Sequence, residues 1–393
     1  MRTRDNWVIA ALVLCNMLSG TLLIPAVRPF FDAYYGGNES AMHAFFSVNM
    51  LGAVIGAPLL TMIADRRGAR RQMTAILALV DAALLIVCTL DLPLGALLTI
   101  RVLQGAASVA TLSLLMGAAP KHNSIGLPGA ALVVAIALGA PLGTLVLQLG
   151  PAAALEAAAI LGVSVGLASL VWLPADAPRA PRGSVRALLK HPLFLRLPTL
   201  WIGVERFTVG CFVVTFSLYA HHVLGLSDAR VGMLFSCFLI PFALATWPMA
   251  TLATRLDRGW LLGVGAVVYG IAFLLLGVTS AAALPLVLGL AGTASAAIYG
   301  PSLCLVASLA PKSLGATAMG LANAAGTLGM LAGTATAGIL SAALAARGVE
   351  RADIYSTLFW IAGGSELVLV ALSVPALRAV SRDRAANLTP IAS

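Results

Sequence analysis

The chain has 393 residues, 60% of them hydrophobic and 10% charged, with a formal net charge of +9. Soluble domains are about 45–50% apolar and about 25% charged, so this composition excludes an ordinary soluble fold. The apolar runs are continuous instead of alternating, which predicts an all-helical protein in a lipid bilayer and not a β-barrel.

Twelve apolar segments follow one another along the chain. Each is near or above the ~20 residues that a helix needs to cross the hydrocarbon core. The first follows Met1–Arg4 and imitates a signal peptide, but it is long and no cleavage site leads into a soluble domain, so we expect an uncleaved span. The predicted spans are residues 7–27, 41–63, 72–90, 94–118, 125–148, 151–173, 198–222, 228–252, 260–279, 282–308, 313–346 and 353–377.

The stretch at Thr61–Arg71 sets the expected orientation. It places four arginines and one aspartate between two apolar runs. Lys and Arg near span ends mark the cytoplasmic side. Threading the other spans from this loop places both chain termini in the cytoplasm and 18 of the 24 basic residues on the inner side. Topology therefore explains the positive charge, and we expect no nucleic-acid partner.

Residues 174–196 interrupt the rhythm of spans with four prolines, five basic residues and no apolar run. They predict a cytoplasmic linker, with a short amphipathic helix near Ser184–His191 on the membrane surface. The linker divides the chain into a six-helix bundle at 1–173 and a second at 197–378, followed by a cytoplasmic tail at 379–393. Two similar halves are typical of secondary transporters.

Three short motifs then occur at matching topological positions. Thr61–Arg70 reads T-M-I-A-D-R-R-G-A-R, Arg101–Gly105 reads R-V-L-Q-G, and Gly139–Thr144 reads G-A-P-L-G-T. They resemble the loop signature, the fourth-span signature and the fifth-span antiporter motif of the major facilitator superfamily. The chain departs from the loop signature at Thr61, in place of a glycine, and at Ala69, in place of an arginine. The last two motifs resemble the drug and sugar efflux branch.

The resemblance extends over essentially the whole chain. It implies an all-α integral membrane fold of two pseudo-symmetric six-helix bundles in a bacterial-type inner membrane. It also implies proton-coupled efflux of a small organic solute, such as a drug, sugar or metabolite, by alternating access. Proton-coupled uptake and lysophospholipid-type flipping remain open on the same fold, as does a non-transporting membrane sensor. We expect a monomer without cofactor or metal. The sequence shows no cluster of catalytic residues, so we do not expect an enzyme.

The loop signature implies a gate on the inner side. Asp65 is expected to face the amino end of the eleventh span near Ser313–Gly315, where the positive helix end favours a carboxylate. A solvated loop that only sets topology is the alternative. Ala118–Lys121 lacks the acidic partner that family members often carry at the end of the fourth span. The gating residues are Asp65, Arg66, Gly68, Arg70 and Arg71.

The fifth-span motif predicts close helix contact. Gly139 and Gly143 leave room for another backbone, and Pro141 permits a local bend. The resemblance implies that this motif seals a leak path in exporters.

The intramembrane acids Asp81, Glu205 and Glu366 are the candidates for proton coupling. A carboxyl group in hydrocarbon stays neutral or finds a partner, which suits a proton carrier. Family architecture places the seventh span at the cavity, so Glu205 is preferred. Arg101 would approach it from the opposite half, while a static ion pair is the alternative. Asp81 and Glu366 lie on peripheral spans, where structural hydrogen bonds are the favoured interpretation.

Polar residues on several spans are candidates for the substrate cavity. A buried arginine must face protein or a wet cavity, so Arg101 either senses a carboxylate or substrate or bonds to neighbouring carbonyls. Interhelical hydrogen bonding explains the other candidates equally well. They are Asn16, Asn49, Arg101, Gln104, Arg206, Tyr299 and Asn323.

Overall fold

The computed structural model describes residues 3–37, 39–119, 125–174, 188 and 195–383. All regular structure in these ranges is helical. Most of the predicted linker, including its amphipathic helix, and the last ten residues of the predicted tail lie outside the described residues. The linker and tail therefore remain predictions.

Thirteen α-helices occur in the described ranges, and twelve of them have 18 residues or more. They are α1 (Thr3–Thr21), α2 (Val27–Tyr34), α3 (Glu39–Arg67), α4 (Arg70–Val87), α5 (Leu94–Gly117), α6 (Gly126–Val146), α7 (Ala153–Trp172), α8 (Leu200–His222), α9 (Asp228–Arg255), α10 (Arg258–Leu276), α11 (Leu284–Leu309), α12 (Gly315–Ala346) and α13 (Arg351–Asp383).

Among the described residues, ten helices are long and apolar enough to cross a membrane, judged by length and composition alone. The two long helices outside this set are α1 and α4. Helix α4 carries Arg70, Arg71 and Asp81 within 18 residues, which explains its lower apolar character. Each of the twelve predicted spans nevertheless corresponds to one long helix, so the predicted fold class is confirmed.

The first span ends earlier than predicted. Helix α1 stops at Thr21, and Ile24 N donates to Thr21 O at 3.2 Å in a tight turn. Pro25 has no N–H to donate, so the helical hydrogen-bond ladder does not run on to residue 27. The chain instead begins α2, whose Phe31 ring packs edge-on against Phe45 with centroids 5.6 Å apart. Residues 22–27 read L-L-I-P-A-V and continue the apolar run of α1, so hydropathy does not show where the chain turns.

The loop signature forms a tight break between α3 and α4. Gly68 has φ of 65°, a left-handed conformation that side chains disfavour. Its N–H donates to Asp65 O at 3.2 Å, and Ala69 N donates to Ala64 O at 3.1 Å. The signature glycine is therefore required by backbone geometry.

The chain forms two compact units. The first comprises the chain up to Leu188 together with Ala307–Ala324, and the second comprises Leu189–Val306 and Ala325–Thr389. The start of α12 therefore belongs to the first unit. Large buried side chains of the second unit include Trp201, Tyr269 and Phe273. The predicted bundle limits at 173 and 197 remain a prediction.

Small residues allow close packing inside the first unit. A side chain at Gly52 would overlap the backbone of Val102, and one at Gly105 would overlap the backbone of Asn49. Helices α3 and α5 thus lie backbone to backbone, as small residues permit in membranes. This contact brings the polar residues of α3 and α5 together.

Candidate functional site

A buried polar network occupies the first unit. We call it the N-terminal network; its members lie on α3, α4 and α5. Asp81, Arg101 and Gln104 are 1%, 3% and 2% exposed, and Asn49 is half-buried. Its members are Asn49, Asp81, Arg101 and Gln104.

Gln104 connects the network. Its Oε1 accepts from Arg101 Nη1 at 2.6 Å and from Asn49 Nδ2 at 2.5 Å. Its Nε2 donates to Asp81 Oδ1 at 2.5 Å. One amide thus joins a buried cation to a buried carboxylate, and the two charges offset each other. Asp81 takes part in structural hydrogen bonding, the interpretation that its sequence position favours.

Arg101 has two further contacts. Its guanidinium carbon lies 4.0 Å from the centroid of the Phe45 ring, a cation–π arrangement. Its Nε donates to Phe45 O at 3.5 Å. An unpaired arginine at membrane depth costs at least about 2.5 kcal/mol, so these contacts account for its burial. The bonding to a neighbouring carbonyl agrees with one of the two interpretations open from the sequence.

Two other predicted cavity residues bond to α5. Asn16 Nδ2 of α1 donates to Ser108 O at 3.4 Å. Asn323 Nδ2 of α12 donates to Ser113 Oγ at 2.9 Å. Both contacts lie in the first unit. They show interhelical hydrogen bonding, and a role in substrate binding stays a prediction.

Asp65 reaches the start of α12. Its Oδ2 accepts from Thr317 N at 2.8 Å and from Thr317 Oγ1 at 2.7 Å, while its Oδ1 accepts from Arg70 Nε at 2.5 Å. The Asp65 side chain has no exposed surface. The expected contact with the amino end of the eleventh span is present, two residues beyond Ser313–Gly315. The positive end of α12 favours the carboxylate there.

Other signature residues complete this loop. Arg66 and Arg67 end α3 and are exposed, and Arg71 donates to Leu170 O of α7. Thr61, which replaces the family glycine, packs against Gly320 of α12. The small residue at this contact is Gly320, on the facing helix. A gating role for these residues stays a prediction.

The fifth-span motif packs against the end of α1. A side chain at Gly139 would overlap Thr21, and one at Gly143 would overlap Leu22 O. Thr21 Oγ1 also donates to Ala135 O at 3.1 Å. Pro141 lies within α6, which continues past it. The close helix contact is present; its sealing role remains to be tested.

The second unit holds a different group of polar residues. Glu205 is fully buried, and its Oε1 accepts from Ser295 Oγ at 2.7 Å. Arg206 Nε lies 3.4 Å from Glu205 Oε2. The guanidinium carbon of Arg206 is also 4.8 Å from the Tyr299 ring centroid. Sequence neighbours on a helix point about 100° apart, so the sequence left this pairing open, and the long arginine side chain spans the gap.

Glu366 lies in the same unit and is fully buried. Its Oε1 accepts from Thr208 Oγ1 at 3.1 Å. Tyr269 lies within electrostatic reach of both Glu205 and Glu366. We call this group the C-terminal cluster. Its members are Glu205, Arg206, Thr208, Tyr269, Ser295, Tyr299 and Glu366.

Sequence reasoning missed three members of this cluster, namely Thr208, Tyr269 and Ser295. Thr208 follows Glu205 by three residues, a spacing that shares a helix face. Ser295 and Tyr299 are likewise four residues apart. These spacings were the only signal in the sequence that Thr208 and Ser295 share a helix face with predicted site residues. Arg101 and Glu205 belong to different units, so the expected approach of Arg101 to Glu205 remains a prediction.

The family model for the Major Facilitator Superfamily matches residues 9–220 and again residues 200–391. The chain belongs to the major facilitator superfamily. The double match agrees with two related halves, and membership indicates a transporter rather than an enzyme. None of the curated proteins matches the sequence significantly.

Solved structures show the same fold. The human organic anion transporter MFSD10 (TETRAN) is 20% identical with a TM-score of 0.75, covering 95% of this chain and 100% of that one. A bacterial homologue of the iron transporter ferroportin in an outward-facing state is 13% identical, with a TM-score of 0.74 and coverage of 97% and 100%. The proton:xylose symporter XylE, bound to 6-bromo-6-deoxy-D-glucose, is 15% identical, with a TM-score of 0.71 and coverage of 97% and 100%.

Proposed function

We propose that this protein exports a small organic solute in exchange for protons, by alternating access across a bacterial-type inner membrane. Both termini lie in the cytoplasm in this proposal. The observation that carries it is Glu205, a carboxyl group with no exposed surface that contacts a cation and a hydroxyl inside the second unit. Proton coupling requires at least an acid whose proton affinity differs between two conformations, and a buried acid next to a cation that can move away meets this requirement.

The physical argument concerns the partner. Burial disfavours a charged carboxylate, and a nearby arginine favours it. If Arg206 stays close in one conformation and withdraws in the other, the affinity of Glu205 for a proton alternates. A difference of about 1.4 kcal/mol between the states changes that affinity tenfold. The proton is then taken up on one side of the membrane and released on the other.

Two contacts of the first unit support the direction and the gate. Gly139 and Gly143 hold α6 against the end of α1, in the motif that resembles those of exporters. Asp65 joins the loop between α3 and α4 to the start of α12 through Thr317. We assign this second contact to one state of the transport cycle, with its loss in the other state. Its charged partner Arg70 adds to the strength of the contact.

The test is solute flux into everted membrane vesicles with an imposed pH gradient. Sugars, drugs, amino acids and lysolipids are screened, with a protonophore as the control that removes the gradient. We expect one class of small organic solute to accumulate only while the gradient lasts. Accumulation in right-side-out vesicles instead would show uptake. Gradient-independent movement of lysolipids would show flipping, and no flux of any solute would favour a sensor.

A further inference from the structure

The C-terminal cluster contains more acid than base. As defined above, it has two carboxyl groups, Glu205 and Glu366, and one cation, Arg206. The phenols of Tyr269 and Tyr299 are neutral near pH 7, since an unperturbed tyrosine ionises near pH 10. With both carboxyl groups ionised the cluster would carry one uncompensated negative charge. Both glutamates are fully buried, where such a charge is strongly disfavoured.

The partners of the two glutamates are unequal. Glu205 receives a hydrogen bond from Ser295 and lies beside the guanidinium of Arg206. In the described part of the chain, Glu366 forms no salt bridge and accepts one side-chain hydrogen bond, from Thr208. Opposite charge and hydrogen bonds stabilise the ionised form, so Glu205 is the better carboxylate and Glu366 the better neutral acid.

The two carboxyl groups are also close enough to interact. Glu205 and Thr208 are three residues apart on α8 and share a face, which places their Cβ atoms about 5–6 Å apart. Thr208 Oγ1 in turn lies 3.1 Å from Glu366 Oε1 and 3.3 Å from Ala362 O on α13. Thr208 therefore bridges the helix of one glutamate to the helix of the other.

Tyr269 completes the group from α10. A side chain at Gly270 would overlap Gly363 O of α13, so α10 and α13 touch next to Tyr269. Tyr269 is fully buried and lies near Ser295. Within the described part of the chain, the Oε2 atom of Glu366 accepts no hydrogen bond, and that of Glu205 has only Arg206 Nε beside it, at 3.4 Å. Buried polar atoms rarely remain unbonded, so the Oε2 atom of Glu366 has capacity for a proton.

We propose that Glu205 and Glu366 hold one proton between them, resident on Glu366 while Arg206 pairs with Glu205. The proton leaves Glu366 as Glu205 gains one, which conserves the charge of the cluster. Tyr269 presents its hydroxyl to whichever carboxylate is ionised. This inference rests on the proposed function only for its role in transport: it adds a second acid to the coupling site and places the stored proton on it.

The test is infrared spectroscopy of the purified full-length chain in detergent, reading the carbonyl stretch of a protonated, buried carboxyl group. The wild type should show this band near neutral pH, with a shift in heavy water. Glu366→Gln should abolish it. Glu205→Gln should abolish it as well, because Arg206 then lacks its counter-charge and the charge of Glu205 no longer opposes ionisation of Glu366.

Two further variants should change the band in different ways, one in its intensity and the other in its frequency. Arg206→Gln removes the cation, so both carboxyl groups should become neutral and the band should grow about twofold. Thr208→Val removes the hydrogen bond to Glu366 without changing charge, so the band should move in frequency and keep its intensity. Glu156→Gln, at an exposed acid near the start of α7, is the control that should leave the band unchanged.

Several results would overturn the pair. Full band intensity in Glu205→Gln would show that the two acids titrate independently, and full intensity in Glu366→Gln would place the proton elsewhere. If Glu366→Gln does not fold, an unchanged band in both Arg206→Gln and Thr208→Val would show that the proton lies outside the pair. The spectra require no transport. The band pattern without pH-driven flux would refute coupling alone, while flux without the pattern would refute the pair alone.

Discussion

The N-terminal network and the C-terminal cluster both bury an arginine with acids at membrane depth, but their charges are balanced differently. Arg101 and Asp81 are matched one to one through Gln104. The C-terminal cluster, by its definition here, sets Glu205 and Glu366 against Arg206 alone. A cation nearby stabilises the ionised form of a buried acid, whereas a buried acid in excess of the cations is more stable when it is protonated. Charge balance therefore separates a structural network from a coupling site more clearly than the presence of a buried acid does.

The largest expected effect is on Glu205. Glu205→Gln keeps a polar side chain that accepts from Ser295 but removes the exchangeable proton. We expect solute exchange to continue while accumulation against a gradient falls at least about tenfold. This is the effect of losing a tenfold difference in proton affinity between the two conformations. Everted vesicles provide the measurement, with Glu156→Gln as the matched acid-to-amide control. Unimpaired pH-driven accumulation in Glu205→Gln would show that the C-terminal cluster is no more a coupling site than the N-terminal network.

Asp81 should respond in the opposite way. Asp81→Asn still accepts the hydrogen bond from Gln104 but leaves the charge of Arg101 uncompensated. We expect the free energy of unfolding to fall by about 2–3 kcal/mol, with the ratio of driven to undriven transport preserved. Thermal unfolding in detergent, together with vesicle flux, measures both quantities. Asp91→Asn, at an exposed aspartate in the loop before α5, is the control. Normal stability with lost coupling would make Asp81 a proton carrier.

A single substitution should convert the matched network into an unmatched one. Gln104→Glu places a second carboxyl group beside Arg101 and Asp81, imitating the C-terminal cluster. The native protein would then hold a proton that the unfolded chain releases more readily. Stability should therefore be greater near about pH 6 than near about pH 8, a dependence greater than that of the wild type. Melting temperatures at the two pH values test this. Equal pH dependence in Gln104→Glu and wild type would show that charge balance does not govern this site.

The sequence predicted the class of fold and several contacts for identifiable reasons. Long apolar runs require helices in lipid, and the loop signature placed Asp65 near the start of the eleventh span, where it contacts Thr317. It did not predict the turn at Pro25, because residues 22–27 continue the apolar run of α1. Nor did it predict α2, because this helix has only eight residues and carries Arg28 and Asp32. Nor did it identify Ser295 or Tyr269 as neighbours of Glu205. These residues lie on helices far apart in the chain, and helical periodicity gives the face of a residue without its partner.

The smallest expected effect tests whether charge balance also explains the gate. Asp65 is matched by Arg70 and bonded to Thr317, so it should set a conformational population without carrying protons. Asp65→Asn still accepts from Thr317 N but loses the charge-assisted part of the bond from Arg70, worth about 1 kcal/mol. That loss should shift the population about fivefold toward the inward-open state. Alkylation of a cysteine at position 16, in a chain with its five native cysteines replaced, should become correspondingly slower from the outside. If Asp65→Asn instead lost accumulation to the extent expected for Glu205→Gln, an acid that is matched by a cation would take part in coupling.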